Sequence, residues 1–62
     1  MVAAISEPLL TGGETAKLLR VSEMTIYNLN KRGELPCVRI GRAVRYDPVD
    51  LRAYLERSKA TG

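Results

Sequence analysis

The side chains best able to do chemistry in this sequence are basic, and they are concentrated in one central segment. The chain of 62 residues carries ten Lys and Arg against seven Asp and Glu, for a formal net charge of +3. Much of the positive charge falls in a short stretch that only Glu34 interrupts, at Lys31, Arg32, Arg39, Arg42 and Arg45. Ammonium and guanidinium groups clustered in this way are typical of a surface that binds phosphate groups.

The residues on which enzymes and metal sites rely are largely missing. The sequence has no histidine, and its one cysteine, Cys37, has no partner in the chain for a disulfide. A zinc site of the usual Cys/His kind is therefore excluded, and no convergent pair of acids is evident. We expect no catalytic residue, no metal and no cofactor, and we interpret Cys37 as a small apolar residue at a strand start.

One segment, Val21 to Gly33, combines polar and basic side chains with the sequence signals of a helix. Ser22 suits the N-cap, Glu23 suits the positive end of the helix dipole, and Gly33 can adopt the left-handed conformation that closes the other end. The segment is therefore predicted to be a short helix with well-defined ends.

The two faces of this helix differ. Ile26 and Leu29 share one face and form a thin apolar stripe. The remaining surface carries Met24, Thr25, Tyr27, Asn28, Lys31 and Arg32. A helix in the DNA major groove needs this division, because side-chain donors, acceptors and methyl groups read base edges while a scaffold holds the back. A surface helix whose polar face meets only water looks similar, so both interpretations stay open here.

A first helix is expected to hold this segment in place. Thr11 and Glu14 have the spacing of a capping box, and the helix should run from about Gly12 to Leu19. Its apolar set is Ala16, Leu18 and Leu19. Two short helices joined by Arg20-Val21-Ser22 have the form of a helix-turn-helix. The usual glycine of that turn is replaced by Arg20, so the turn either differs slightly or carries mild strain.

A β-hairpin is predicted after Glu34-Leu35-Pro36, which ends the helix. Val38-Arg39-Ile40 and Val44-Arg45-Tyr46 alternate apolar and charged residues about a turn at Gly41-Arg42-Ala43. The face predicted to pack on the helices consists of Val38, Ile40, Val44 and Tyr46, and Arg39 and Arg45 are predicted to point away.

The arginines of this hairpin have two interpretations. Their long guanidinium side chains could reach a phosphate or enter a narrow minor groove, where the negative potential is strongest. Alternatively they form surface salt bridges, and Arg45 in particular could stabilise the fold by facing Asp47 or Asp50. For Arg42, the position at the tip of the hairpin favours the first interpretation, contact with nucleic acid.

A third helix, from about Pro48 to Ser58, should close the core. Asp47 provides an N-cap, proline occupies the first helical position, and the apolar residues Leu51, Tyr54 and Leu55 recur at helical spacing. Residues 1–8 lack a periodic pattern and are expected to form a flexible arm, with 9–58 as the domain and 59–62 as a frayed tail.

The run LLTGGETAKLLRVSEMTIYNLNKRGELPCVRIGRAVRYDPVDLRAYLER resembles the small winged helix-turn-helix domain shared by excisionases and the DNA-binding part of MerR-type regulators. It covers almost the whole chain after the arm. The specific parts are Leu10-Thr11 with Glu14-Thr15-Ala16, Val21-Ser22 with Thr25-Ile26-Tyr27, Gly33-Glu34-Leu35-Pro36, and Arg39-Ile40-Gly41-Arg42 leading to Asp50-Leu51 and Tyr54-Leu55. The implied fold is mainly α with a small β-hairpin: three short helices plus a two-stranded wing.

The resemblance also implies a DNA-binding surface. The helix from Ser22 to Arg32 would lie in the major groove, and the wing at Gly41 to Ala43 would reach the adjacent minor groove. The candidate DNA-binding residues are Ser22, Glu23, Met24, Thr25, Tyr27, Asn28, Lys31, Arg32, Arg39, Gly41, Arg42 and Arg45. Thr25 suits support of the helix cap as well as a phosphate contact, and Tyr27 could be half-buried. Many relatives have an apolar or basic residue where this chain has Asn30, which leaves the role of that position open.

By resemblance, the expected role is that of a phage or mobile-element excisionase. Such an architectural protein binds cooperatively at repeated sites, bends DNA and directs an integrase toward excision. The long dimerising helix and effector domain of MerR-type regulators are not evident, so no small-molecule effector is expected. The implied partners are double-stranded DNA, an integrase and neighbouring copies of the chain on DNA.

Other roles stay open. One is a small MerR-like transcriptional regulator of a phage or mobile-element operon, which would use the same surface. Another is a protein-interaction module in which Met24 and Tyr27 dock a partner. No signal peptide and no run of ~20 apolar residues is present, so we expect a cytoplasmic protein with no membrane contact.

Overall fold

The computed structural model describes residues 8–60. Most of the predicted arm and the last two residues of the predicted tail lie outside this range. The described elements, in chain order, are α1 (Gly12–Leu19), α2 (Glu23–Lys31), β1 (Val38–Ile40), β2 (Ala43–Arg45) and α3 (Pro48–Ser58). The two strands form an antiparallel hairpin. The prediction of three short helices plus a two-stranded wing is confirmed.

The N-terminus of α1 is stabilised by the predicted capping box. The backbone N–H of Thr11 donates to Glu14 Oε1 at 2.9 Å, and the N–H of Glu14 donates to Thr11 Oγ1 at 3.0 Å. Two N–H groups that would otherwise lack partners are thereby satisfied, which fixes where the helix begins.

The turn between α1 and α2 has the strained backbone that was one of the two predicted outcomes of placing Arg20 there. Arg20 has φ 59° and ψ 44°, which is the left-handed region. Its N–H donates to the carbonyl of Lys17 at 3.2 Å, and the N–H of Val21 donates to the carbonyl of Ala16 at 3.0 Å. This is a Schellman motif, which usually places glycine where this chain has arginine.

The core is small and lies where the helices meet the base of the hairpin. Its buried apolar residues are Ala16, Ile26, Leu29, Leu35, Tyr46 and Leu51. Thr15 is also fully buried, and its hydroxyl donates to the carbonyl of Thr11 at 2.8 Å. The thin apolar stripe predicted for α2, Ile26 with Leu29, is confirmed.

Of the apolar residues of α1, Leu18 lies outside the core. Its side chain is 64% exposed, because the side of α1 that meets the core is formed by Thr15, Ala16 and Leu19. Leu18 instead borders an open groove that it shares with Leu51 and Leu55 of α3.

The register of the hairpin corrects the prediction for its two faces. Ile40 pairs with Ala43 across a turn of Gly41 and Arg42, whereas the sequence suggested a turn that included Ala43. Since a shift of one residue turns every side chain of a strand to the other face, half of the predicted packing is inverted.

The face that packs on the core carries Val44 and Tyr46, as predicted, but Arg39 lies opposite Val44 on the same side. Val38 and Ile40, which were predicted to be on that face, instead share the outer face with Arg45. The predicted directions of Arg39 and of the two apolar β1 residues are therefore wrong.

The base of the hairpin is joined to the segment before α1. The N–H of Leu10 donates to the carbonyl of Tyr46 at 2.8 Å, and the N–H of Tyr46 donates to the carbonyl of Leu10 at 2.7 Å. An isolated two-stranded ribbon is only marginally stable, so this extra bridge and the burial of Tyr46 hold the wing in place.

Candidate nucleic-acid interface

The outer face of α2 is open to solvent and mixes apolar, aromatic, polar and charged side chains. Met24 is 64% exposed and Tyr27 is 54% exposed, so Tyr27 is not half-buried. Glu23, Asn28 and Lys31 are exposed beside them. Lys31 Nζ lies 5.5 Å from the centroid of the Tyr27 ring, which places a cation over an aromatic face one helical turn earlier.

The start of α2 is fixed by two hydroxyls that were both candidates for DNA contact. Ser22 Oγ accepts from the N–H of Thr25 at 3.1 Å, and the oxygens of the Ser22 and Thr25 hydroxyls lie 3.0 Å apart. Both side chains support the cap. Both are also exposed, so either oxygen can accept or donate a further bond to a phosphate.

The end of α2 is tied to the rest of the fold through contacts that the sequence did not predict. Asn30 Nδ2 donates to the carbonyl of Leu35 at 2.8 Å, and Arg57 Nη2 of α3 donates to the carbonyl of Glu34 at 2.8 Å. The only sequence signal was an asparagine in the last turn before a glycine. Asn30 therefore holds the turn that follows the helix.

Arg32 is the candidate residue whose charge is already compensated. Its Nε lies 2.8 Å from Glu34 Oε2, with the two side chains 61% and 48% exposed. An exposed ion pair of this kind contributes little to stability. Glu34 therefore offsets part of the positive charge that Arg32 presents to a phosphate.

The wing presents its arginines in two different settings. Arg42 is exposed in the turn, next to Gly41, whose φ of 59° suits the first position of a tight hairpin turn. Arg39 is exposed as well. Arg45 is half-buried, and its Nη1 donates to the carbonyl of Val44 at 2.9 Å. Arg42 and Arg39 are thus the more accessible cations.

The base of the wing holds a titratable group with a shifted pKa. Burial raises the pKa of Tyr46, the negative charge that Cys37 can carry raises it further, and the positive charge of Arg39 lowers it. Tyr46 is therefore neutral at physiological pH, and its ring serves the core.

Among residues 8–60, no group of three or more Cys, Asp or Glu side chains is placed to hold a metal ion. Within that same part of the chain, none of the helices is both long and apolar enough to cross a membrane.

The fold and the site define a small winged helix-turn-helix protein. Its two N-terminal helices are joined by a tight turn, the second helix exposes a polar face, and a basic hairpin follows. A family model described as "Helix-turn-helix domain" matches residues 9–59. The chain belongs to that helix-turn-helix domain family.

Relatives include two mycobacterial proteins and one from Bacillus. The chain is 50% identical over 50 residues to "Putative DNA-binding protein MT0521" of Mycobacterium tuberculosis (strain CDC 1551 / Oshkosh) and to "Putative DNA-binding protein Rv0500A" of strain ATCC 25618 / H37Rv. In both cases the match covers 81% of this chain and 64% of the relative. It is also 51% identical over 41 residues to "Uncharacterized protein YvgK" of Bacillus subtilis (strain 168), covering 66% of this chain and 13% of that protein. The search of solved structures gave no match.

Proposed function

We propose that this chain is a sequence-specific binding protein for double-stranded DNA, with α2 in the major groove and the wing at the adjacent minor groove. The observation that supports this most is the division of α2. Ile26 and Leu29 are buried at 1% and 5% exposure, while its opposite face is exposed and carries polar and charged side chains. A helix held from behind in this way can present side chains to base edges.

The groups on that face fall into two kinds of contact. Asn28 and Glu23 carry the donors and acceptors that distinguish bases, asparagine suiting adenine and glutamate suiting the amino group of cytosine. Lys31 and, on the wing, Arg42 are exposed cations suited to phosphates. Ser22 and Thr25 lie at the helix start, where N–H groups and hydroxyls favour an anion.

The biological role that we propose is that of a phage or mobile-element excisionase, which bends DNA and directs an integrase toward excision. The resemblance of its motifs supports this. One copy offers few phosphate contacts and should bind weakly alone. Contacts between copies on neighbouring sites would raise the apparent affinity without a larger domain.

The test is a gel-shift titration with DNA from the attachment region of the parent element, at two salt concentrations. Wild type should give a ladder of successively slower complexes, and these should weaken at the higher salt. The variant Arg42→Ala should weaken every complex, because a phosphate contact is lost. Lys59→Ala removes the same charge from an exposed residue at the end of α3, paired with Glu56, and should leave the ladder unchanged.

The other outcomes separate the roles. A single shifted band over a promoter would favour a MerR-like transcriptional regulator that uses the same surface. Absence of any shift at low salt would contradict DNA binding and would turn attention to α2 as a surface for a protein partner.

A further inference from the structure

An isoleucine near the tip of the wing lies outside the core. Ile40 is 56% exposed, and the pairing of Ile40 with Ala43 places it on the outer face, away from Val44 and Tyr46. Val38, two residues earlier on the same face, is half-buried but is not packed against the core. Near its tip, the outer face of the wing therefore exposes a large apolar side chain to water.

The surroundings of Ile40 are cationic. Arg39 precedes it on β1 with its side chain on the opposite face, Arg42 follows it across Gly41, and both arginines are exposed. Its cross-strand neighbour is Ala43, whose single methyl group leaves the larger side chain uncovered. Arg45 lies on the same outer face as Ile40, but its guanidinium donates a hydrogen bond to the carbonyl of Val44 at 2.9 Å. A β-branched apolar group thus projects from the end of a basic ribbon.

The partner that fits this combination is a polyanion with an apolar interior. Arginines attract the wing to phosphates, which line the rims of a DNA groove, while sugars and base edges form its walls and floor. Proteins that bend DNA from the minor groove often insert an isoleucine, leucine, methionine, phenylalanine or proline between base steps. Another folded protein would supply no equally dense row of negative charge.

We propose that Ile40 inserts into the minor groove of DNA as an apolar wedge and bends the duplex, while Arg39 and Arg42 hold the wing on the flanking phosphates. This inference rests on the proposed function, since it requires the wing to meet DNA. It adds Ile40 to the candidate DNA-binding residues, which the distribution of charge does not indicate. It also assigns the DNA bend to that one side chain.

The experiment uses Ile40→Thr, which keeps the β-branched shape that suits a strand and changes no charge. The probe is a short duplex that carries one site, selected by the wild-type protein from random-sequence DNA and labelled at both ends for energy transfer. Thr should weaken binding about fivefold to tenfold, because an apolar contact is lost. It should also reduce the bend by roughly 20° or more.

Matched variants separate the wedge from other effects. Val49→Thr makes a similar change at a residue of α3 that is 60% exposed, and it should leave affinity and bend unchanged. Ile40→Leu should retain the bend. Ile40→Thr should leave the salt dependence of binding unchanged, whereas Arg42→Ala should reduce its slope by about one phosphate contact. A thermal melt equal to that of wild type shows that the Thr variant is folded.

Two results would overturn the wedge. In the first, Ile40→Thr bends DNA as wild type does. In the second, wild type binds its site without bending it. If wild type binds no DNA, the proposed function itself fails, and this is distinguishable from the other two results.

Discussion

At the scale of single residues, the backbone of Arg20 is the clearest departure from an unstrained fold. Its φ of 59° lies in the left-handed region. There the Cβ of an L-residue comes too close to the following carbonyl oxygen, at a cost of about 1–2 kcal/mol. The end of α2 has the same geometry at Gly33, with φ 78°, and there the residue is glycine. Arg20→Gly relieves the crowding but adds freedom to the unfolded chain, so we expect a net gain of about 0.5–1 kcal/mol.

Urea denaturation of Arg20→Gly and Arg20→Ala tests this prediction. Alanine keeps the Cβ and removes the rest of the arginine side chain, so it should give no comparable gain. An equal gain in both variants would show that the arginine side chain beyond Cβ, and not the backbone conformation, destabilises the turn.

The shifted pKa of Tyr46 predicts how the free energy of unfolding depends on pH. Burial raises its pKa in the folded state, so the folded protein keeps the phenol proton that the unfolded chain loses at the usual tyrosine pKa of about 10. The stabilisation is fully present below that pH and is lost as pH rises through the folded pKa. We expect the free energy of unfolding to fall above pH ~10, and to fall less steeply in Tyr46→Phe.

At the scale of elements, the end of α2 depends on Asn30. Its amide donates to the carbonyl of the fully buried Leu35. Asn30→Ala leaves that carbonyl without its donor and should cost about 1–2 kcal/mol in the free energy of unfolding. Asn28→Ala, two residues earlier on the exposed face, is the matched variant.

The two asparagine variants should give opposite results. Asn28→Ala should leave stability within about 0.5 kcal/mol of wild type and weaken binding to the selected DNA site. Asn30→Ala should lower stability, measured by urea denaturation, and should retain the preference among DNA sites. If Asn30→Ala changed site preference at unchanged stability, the asparagine would be a base contact and not a structural residue.

The helices could be predicted from sequence because their ends are local. Thr11, Ser22 and Asp47 accept from backbone N–H groups of the helix they precede, and neighbouring residues alone determine these bonds. The register of the hairpin could not be predicted as reliably, because the alternation of its residues is compatible with a turn of two residues or of three. The shorter loop turned Ile40 outward and Arg39 toward the core side.

The candidate site shows the same limit. The exposed face of α2 follows from helical spacing, so Met24, Tyr27 and Lys31 could be assigned to it without a structure. The bond from Arg57 to the carbonyl of Glu34 spans 23 residues and depends on how α3 packs, which no local pattern encodes. Asn30 stayed uninterpreted for the same reason, since its partner lies beyond the end of its own helix.

At the scale of the whole molecule, a small core makes the stability of the fold sensitive to binding. Within residues 8–60, six apolar residues are buried, and domains of this size bury too little surface to be very stable. A ligand that binds only the folded state at 100 times its Kd adds about 2.7 kcal/mol. For so short a domain, that corresponds to a rise in Tm of about 10–20 °C.

We therefore expect a duplex that carries the selected site to raise the Tm of wild type substantially, as measured by scanning calorimetry at fixed salt. Arg42→Ala should show a smaller rise at the same DNA concentration, and Lys59→Ala should show the wild-type rise. Heparin serves as the control for charge alone, since it supplies anions without base edges or a groove. Equal rises with heparin and with the selected duplex would mean that the basic wing binds any polyanion and that α2 reads no sequence.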